Sequence, residues 1–233
     1  MSRKFSSLEQ QKKIHLGMSP RSVHELRTKT WLISRKAILH AVETWKVDII
    51  TMSFGFQDWD DEIANAIEVA KRHNVLIFAA ASNSGANNEE SVAFPARYSE
   101  AVLSINASDG NGSRSRFNPP PTVESFNFSI LGEAVESAWP TSLIQSGRQR
   151  LSGTSVATPI AAGVAALILD YASQAQRNIQ CRDRLNTTRG MRRVLDAMAK
   201  PHEGYRYIRP WSLLKDHGDD KEIERRISSK LNF

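Results

Sequence analysis

The chain has 233 residues, of which 40% are hydrophobic and 24% charged, a profile that excludes a disordered chain and permits one domain with a sizeable core. Its single cysteine, Cys181, excludes an internal disulfide and a cysteine-built zinc site. The net charge of +6 resides in residues 172–233, which carry 14 basic and 8 acidic side chains. Because acids interleave with these bases and no recognition motif accompanies them, we expect a solvated face and no nucleic-acid partner.

The first third of the chain begins without pattern and then becomes periodic. Residues 1–33 carry no assignable pattern and no apolar secretory signal, so the protein is expected to be cytoplasmic if this start is correct. Ser34 is predicted to cap a helix, because apolar side chains follow it at helical spacing. The predicted inner face of this helix comprises Ala37, Ile38, Ala41, Val42 and Trp45. Val47–Met52 is apolar almost throughout, which predicts a strand covered on both faces.

A second helix and two more strands follow. Asp58, Asp60 and Asp61 place negative charge at the start of the helix, where its dipole favours anions. Its predicted inner face comprises Ile63, Ala66, Ile67 and Ala70. Residues 75–81 and 101–107 are predicted to be buried strands, separated by a long loop. This alternation of strands and helices predicts a parallel sheet with helices on its faces.

Three further segments complete the chain. Residues 109–122 are rich in Gly, Pro, Asn and Ser, which predicts an exposed excursion. Residues 151–169 are uncharged, but polar residues and a proline crowd their first half, so we predict a helix buried in the core and no membrane partner. Residues 175–233 are predicted to form a basic, helical extension.

The sequence Leu151-Ser-Gly-Thr-Ser-Val-Ala-Thr-Pro159 resembles the nucleophile motif of the subtilases, Gly-Thr-Ser-x-Ala-[Ser/Thr]-Pro. In that family the serine begins a buried helix, whose N-terminus offers positive potential and free N–H groups to a developing oxyanion. The resemblance therefore implies that Ser155 is a catalytic nucleophile. Taken alone, a serine at this position would be an ordinary helix cap.

A second segment, Leu76–Gly85, resembles the strand and turn that present the oxyanion-hole asparagine of the same family. Asn83 is the corresponding residue, and it precedes Ser155 by 72 positions, against about 66 in subtilisin. The resemblance implies that the Asn83 amide and the Ser155 backbone N–H donate to the oxyanion. Ser82 stands where the family generally has glycine, a departure that concerns the shape of the first specificity pocket.

The substrate cleft is implied by a third resemblance, of Ile49–Gly55 to the family's Val-Ile-Asn-Met-Ser-Leu-Gly strand. The end of that strand pairs with the substrate backbone. The residues implied to line the cleft are Ser53, Phe54 and Gly55 on one side, Ala80, Ala81 and Ser82 on the other, and Thr154 beside the nucleophile. Phe94-Pro95-Ala96 resembles the family's loop below the pocket, and Ile130-Leu131-Gly132 stands where the family usually has Ala-Pro-Gly.

The resemblance covers residues 36–172 and implies an α/β fold with three α/β/α layers and a mostly parallel sheet, incomplete at its N-terminal side. We expect three regions: an unassigned segment over residues 1–33, a partial catalytic domain over 34–174 and the extension over 175–233. The resemblance implies a serine endopeptidase that acts on peptide or protein substrates. No cofactor is implied, and no carboxylate cluster specifies a metal site.

The aspartate and histidine that the family places before its serine are not found. They precede it by about 189 and about 157 residues in subtilisin, which would place both before Met1. Neither an Asp-[Thr/Ser]-Gly nor a His-Gly-Thr-His string occurs. The six histidines are predicted to be structural or surface residues: His15, His24, His40, His73, His202 and His217. Without a base, Ser155 is a poor nucleophile, so the chain alone is expected to be inactive.

Three interpretations remain open. The chain is a protease domain cut short, whose missing N-terminal half is then a partner, or it is an inactive pseudoprotease that binds peptides or regulates. The third interpretation is an α/β-hydrolase that uses Ser155, Asp183 and His202 in that order, although Gly153–Ala157 lacks the second glycine of that enzyme class. Retention of both Ser155 and Asn83 favours the first interpretation.

Overall fold

A computed structural model describes residues 20–85, 92–123, 125–214 and 220–233, with side chains from residue 30 onward. His15 and His217, and the side chain of His24, lie outside the described residues, as do residues 1–19 of the unassigned segment. The helices in these ranges are α1 (Pro20–Glu43), α2 (Asp61–Arg72), α3 (Thr154–Ser173), α4 (Thr188–Met198), α5 (Trp211–Leu214) and α6 (Asp220–Leu231), with a 3₁₀ turn at Arg182–Asn186. The strands are β1 (Ile49–Met52), β2 (Leu76–Ala80), β3 (Val102–Ser108), β4 (Phe128–Leu131), β5 (Val135–Ala138), β6 (Arg148–Leu151), β7 (Ala199–His202) and β8 (Tyr205–Ile208).

Six strands form the main sheet, in the order β1-β2-β3-β4-β8-β7. The first five of these are parallel, and β7 pairs antiparallel with β8. The remaining strands, β5 and β6, form an antiparallel hairpin. The predicted mostly parallel sheet is therefore confirmed.

Helices cover both faces of the sheet and create two cores. On one face, Ile63 and Ile67 of α2 pack with Ile38 of α1 against Ile77 of β2. On the other face, α3 and α4 pack against side chains such as Phe78 and Ile105. Side chains of one strand alternate between the two cores, as the pleat requires. The three-layer α/β/α architecture is confirmed.

The predicted inner faces of the first two helices differ in outcome. All four predicted residues of α2 are buried, and Asp60 caps this helix by accepting a hydrogen bond from the Ile63 N–H at 2.7 Å. In α1, Ile38 and Val42 are buried, but Ala37 is exposed and Trp45 lies beyond the helix, 69% exposed. The prediction of Ser34 as a cap is also wrong, because α1 begins at Pro20 and the Ser34 hydroxyl donates to Thr30 O inside the helix.

Strand β1 lies at the edge of the sheet, with β2 on one side and no described strand on the other. Its Ile49 and Ile50 are half-buried and Thr51 is exposed. The prediction of a strand covered on both faces is therefore wrong for β1, although it holds for β2, which is buried at every position. The open edge agrees with a sheet that is incomplete at its N-terminal side.

Residues 109–122 and 175–233 are more closely integrated into the domain than the sequence predicted. Residues 109–122 are partly buried, since the Asn118 side chain bonds both the N–H and the C=O of Ala107 and so continues the β3 ladder. In the expected helical extension over residues 175–233, β7 and β8 join the main sheet and α4 contributes to its core. Helix α3 is long and apolar enough to cross a membrane, but it packs on the sheet as a core helix.

Candidate functional site

The carboxyl ends of β1 and β2 meet the N-terminus of α3 at one edge of the sheet. Parallel strands present their carboxyl ends together, which is where open α/β sheets place their ligand sites. The Ser53 hydroxyl, one residue past β1, donates to the Ser155 carbonyl at 2.9 Å. The Asn83 side chain, three residues past β2, reaches Thr154. Three segments that are distant in sequence thus converge on Ser155.

Ser155 is the second residue of α3 and is partly exposed. Its hydroxyl lies 3.4 Å from the Ser53 carbonyl oxygen, the acceptor to which it donates. Within the ranges that the structure describes, no imidazole or carboxylate is hydrogen-bonded to this hydroxyl. Its backbone N–H belongs to the first turn of the helix, where N–H groups have no intrahelical acceptor.

The orientation of the Asn83 amide follows from its two partners. The Thr154 N–H and the Thr154 hydroxyl both donate to Asn83 Oδ1, at 2.9 and 3.0 Å. A backbone N–H can only donate, so the oxygen must face Thr154 and the amide nitrogen must face away from it. Asn83 Nδ2 donates to no described residue.

Gly153 shows where the two free donors point. A methyl group built on Gly153 would lie 3.1 Å from Asn83 Nδ2 and 3.7 Å from Ser155 N. Both N–H donors therefore border the same small space, which exists because residue 153 has no side chain. Donors placed in this way, at the positive end of a helix, can stabilise an oxyanion that forms beside Ser155 Oγ. No role for Gly153 was predicted from the sequence, although its place in the Gly-Thr-Ser motif was the available signal.

The residues predicted to line a cleft fall into three groups. Ser53 and Phe54 are exposed, and Gly55 packs so closely on Ala93 that its missing Cβ would lie 2.6 Å from the Ala93 Cβ. Across from them, Ala80 and Ala81 are buried, while Ser82 is half-buried and its hydroxyl accepts a hydrogen bond from the Ser84 N–H. Thr154 is 1% exposed and lies behind Asn83, so it orients the amide.

The residues of the hydrolase interpretation are not brought together. Asp183 and Asp170 line one cavity of about 590 Å³ at the carboxyl end of α3. Ser155 lies at the other end of this helix, roughly 27 Å away at 1.5 Å per residue. His40, His73 and His202 lie at element ends away from Ser155, with His40 against Trp45 and His73 Nδ1 2.9 Å from Val69 O. Among the described residues, no three His, Cys, Asp or Glu side chains form a group that could hold a metal ion.

Sequence comparison identifies relatives of this chain. Residues 25–219 match the model of the Subtilase family. The chain is 32% identical over 143 residues to Subtilisin DY of Bacillus licheniformis, covering 61% of this chain and 49% of that protein. It is 38% identical over 142 residues to a Thermostable alkaline protease of Halalkalibacterium halodurans, covering 60% and 36%. The chain thus spans about half or less of the length of these relatives.

Solved structures of proteases share the fold. The Prenylagaramide maturation protease PagA superposes with a TM-score of 0.62 at 26% identity, covering 86% of this chain and 67% of that one. The self-cleaved protease domain of PatA gives a TM-score of 0.60 at 25% identity, covering 85% and 68%. With the family match over most of its length, the chain belongs to the subtilase family of serine proteases.

Proposed function

We propose that this chain is the nucleophile-bearing half of a serine endopeptidase domain. In this proposal Ser155 is the nucleophile, and Asn83 Nδ2 and the Ser155 N–H are the oxyanion donors. The aspartate and histidine come from polypeptide outside these 233 residues. The observation that carries the proposal is the small space above Gly153, which is bordered by Asn83 Nδ2 and by the backbone N–H of Ser155, the residue that supplies the nucleophile in this proposal.

The chemistry follows from this geometry. A base supplied from outside would take the Ser155 proton as Oγ attacks the substrate carbonyl carbon, and the carbonyl oxygen would become an oxyanion between the two donors. The protonated base would then give its proton to the leaving amine, which leaves an ester on Ser155. Water, activated by the same base, would hydrolyse the ester. The exposed backbone after β1 would hold the substrate as an added strand.

The flank of the molecule beside Ser155 is open where such polypeptide would dock. The outer edge of β1 has no described partner strand. The neighbouring outward face of α3 exposes Gly163, Ala166 and Leu167, the last to 64%. An unpaired strand edge beside an exposed apolar helix face fits a further strand and helix. Because the matched segment covers only 49% and 36% of these two relatives, the occupant that we propose is the rest of the same catalytic domain.

Active-site labelling tests the proposal. The purified chain would be treated with a fluorophosphonate probe and peptide substrates, alone and after mixing with the complementary N-terminal half of a related subtilase. We expect no rapid labelling of the chain alone, because its serine hydroxyl has no base. Labelling and hydrolysis should appear on mixing and be lost in Ser155→Ala. Rapid labelling without the second half, or activity that survives Ser155→Ala, would contradict the proposal.

A second candidate function is an inactive peptide-binding or regulatory module. It is favoured by the absence of any described base at the Ser155 hydroxyl, together with the exposed strand end at Ser53 and Phe54. Such a module would bind peptides but would show neither labelling nor hydrolysis after mixing, even where the two halves associate. Association without labelling, seen by size-exclusion chromatography, would therefore favour this function over the first.

A further inference from the structure

Three arginines surround one aromatic ring at the C-terminal end of the sequence. The guanidinium carbons of Arg189, Arg193 and Arg184 lie 4.2, 4.7 and 4.9 Å from the centroid of the Phe233 ring. No two of these charges can therefore be more than about 10 Å apart, because each lies within 5 Å of the same point. We call Arg184, Arg189 and Arg193 the arginine cluster.

The arginine cluster lacks carboxylate partners among the described side chains. Arg184 donates to the carbonyl oxygens of Leu231 and Phe233, at 2.8 and 2.6 Å. Arg189 and Arg193 make no described ion pair or hydrogen bond through their guanidinium groups. A free carboxylate at Phe233 would offset one of the three charges and leave two. Two exposed arginines elsewhere do have carboxylate partners, Arg148 with Glu136 and Arg225 with Glu222.

Local structure explains why the charges are held together. The inner face of α4 is buried in the core through Met191, Val194, Leu195 and Met198. That burial turns Arg189 and Arg193, which are four residues apart, to the outer face. Arg184 joins them from the preceding 3₁₀ turn. Like charges held this closely repel one another, and the surface attracts anions.

The arginine cluster lies at the opposite end of the sheet from Ser155. The hydroxyl of Thr188, the first residue of α4, donates to Ala101 O just before β3 begins. Ser155, in contrast, lies where β1 and β2 end. A ligand on the arginine cluster would therefore leave the cleft free.

We propose that the arginine cluster docks an acidic segment of a polypeptide. The planar guanidinium fork matches carboxylates in a bidentate geometry. The Cβ atoms of helical residues i and i+4 are about 6 Å apart, which is close to the roughly 7 Å between alternate side chains of an extended peptide. Single-stranded nucleic acid fits less well, because the guanidinium groups already cover the ring on which a base would stack. This docking surface is independent of the proposed protease activity.

Fluorescence anisotropy with a labelled peptide of alternating Asp and Ser tests this proposal on the full chain. The double variant Arg189→Gln/Arg193→Gln should lose about tenfold or more in affinity, because it removes the two guanidinium groups that would pair with the peptide carboxylates. Arg148→Gln/Arg225→Gln is the matched control, since it removes two exposed arginines elsewhere and should change affinity less than about twofold. The single change Arg193→Glu, at an exposed position, should weaken binding by at least as much as each of the two Gln changes, because it also adds a repelling charge.

Three results would overturn the proposal. One is the absence of peptide binding to the unaltered chain at low salt. Another is an equal loss in the cluster variant and the control variant, which would show general charge attraction. The third is tighter binding of a single-stranded oligonucleotide of equal charge, abolished by the same cluster variant, which would assign the surface to nucleic acid.

Discussion

Thr154 and Asn83 are joined by two hydrogen bonds to a single oxygen atom. The Thr154 backbone N–H and hydroxyl donate to Asn83 Oδ1 at 2.9 and 3.0 Å. This pairing fixes the amide so that its N–H groups face the space above Gly153. The donor is therefore oriented by the loop after β2 and the first residue of α3, both of which this chain contains.

Removal of the Asn83 amide should reduce turnover in the completed enzyme. We expect Asn83→Ala to lower kcat by about 10²- to 10³-fold with little change in KM, because this donor is used at the transition state. Thr154→Val keeps the backbone N–H bond and loses the hydroxyl bond, so its kcat should fall less. Steady-state kinetics of the mixed halves measures both. A larger loss in Thr154→Val than in Asn83→Ala would contradict this order.

A side chain at Gly153 should block the same space. The methyl group of Gly153→Ala would lie 3.1 Å from Asn83 Nδ2, which is tighter than an ordinary contact. We expect a kcat loss similar to that of Asn83→Ala, because the methyl group occupies the place of the oxyanion. Gly110→Ala, in the exposed turn after β3, is a control, since its Cβ would meet no atom within 4 Å. Full activity in Gly153→Ala would show that the oxyanion lies elsewhere.

Two adjacent residues of α3 should separate folding from association. Ile168 is fully buried, so Ile168→Ala should cost about 2–5 kcal/mol of unfolding free energy. Leu167 is 64% exposed, so Leu167→Lys should change the stability of the chain alone by less than about 0.5 kcal/mol. Leu167→Lys should nevertheless prevent activity on mixing, because it places a charge in the proposed docking face. Urea unfolding and the labelling assay measure the two effects.

The open edge of β1 should make the isolated chain prone to aggregation. Unpaired backbone groups on an apolar edge strand template pairing with other chains, and a lysine on such an edge opposes it. Thr51→Lys, at an exposed position of β1, should therefore increase the monomeric fraction in size-exclusion chromatography. Ser137→Lys, at an exposed position of the β5–β6 hairpin, adds the same charge as a control. An equal gain from both would point to net charge instead.

The Glu68–Tyr98 pair should make stability depend on pH. The Tyr98 hydroxyl donates to Glu68 Oε1 at 2.5 Å, which lowers the pKa of Glu68 below 4.5 and raises the pKa of Tyr98 to about 12. The contribution of Glu68 to the free energy of unfolding is present above pH 4.5 and is lost as the pH falls through the lower pKa that Glu68 has in the folded state. The Tyr98 contribution is present below pH 10 and is lost as the pH rises to about 12.

Tyr98→Phe removes the hydrogen-bond donor. It should therefore flatten both the acid limb of the stability profile, which is the fall in stability at low pH, and the alkaline limb, which is the fall at high pH. The measurement is the urea midpoint across the acidic and alkaline ranges. Tyr171→Phe is a useful comparison, because burial is the main cause that raises the pKa of Tyr171 to about 12. The acid limb should therefore persist in Tyr171→Phe. Loss of the acid limb in both variants would show that Glu68 is not its source.

The sequence by itself determined the elements whose burial follows a local pattern. The four inner residues of α2 and the fully apolar β2 were predicted correctly, because their spacing matches the period of the element that they form. The Gly-Thr-Ser motif likewise placed Ser155 at the start of a core helix. In each case the information lies within about twenty neighbouring residues.

The tertiary structure alone decided which elements pair or pack with one another. Strand β1 has the composition of a central strand, but its exposure depends on a neighbour that the described chain does not contain. Strand β8 pairs with β4 although more than 70 residues separate them, and no local pattern encodes such a pairing. The space above Gly153 exists because Asn83 and Ser155 arrive there from two elements. Burial and donor geometry depend on contacts between distant segments, so they emerge only when the chain has folded.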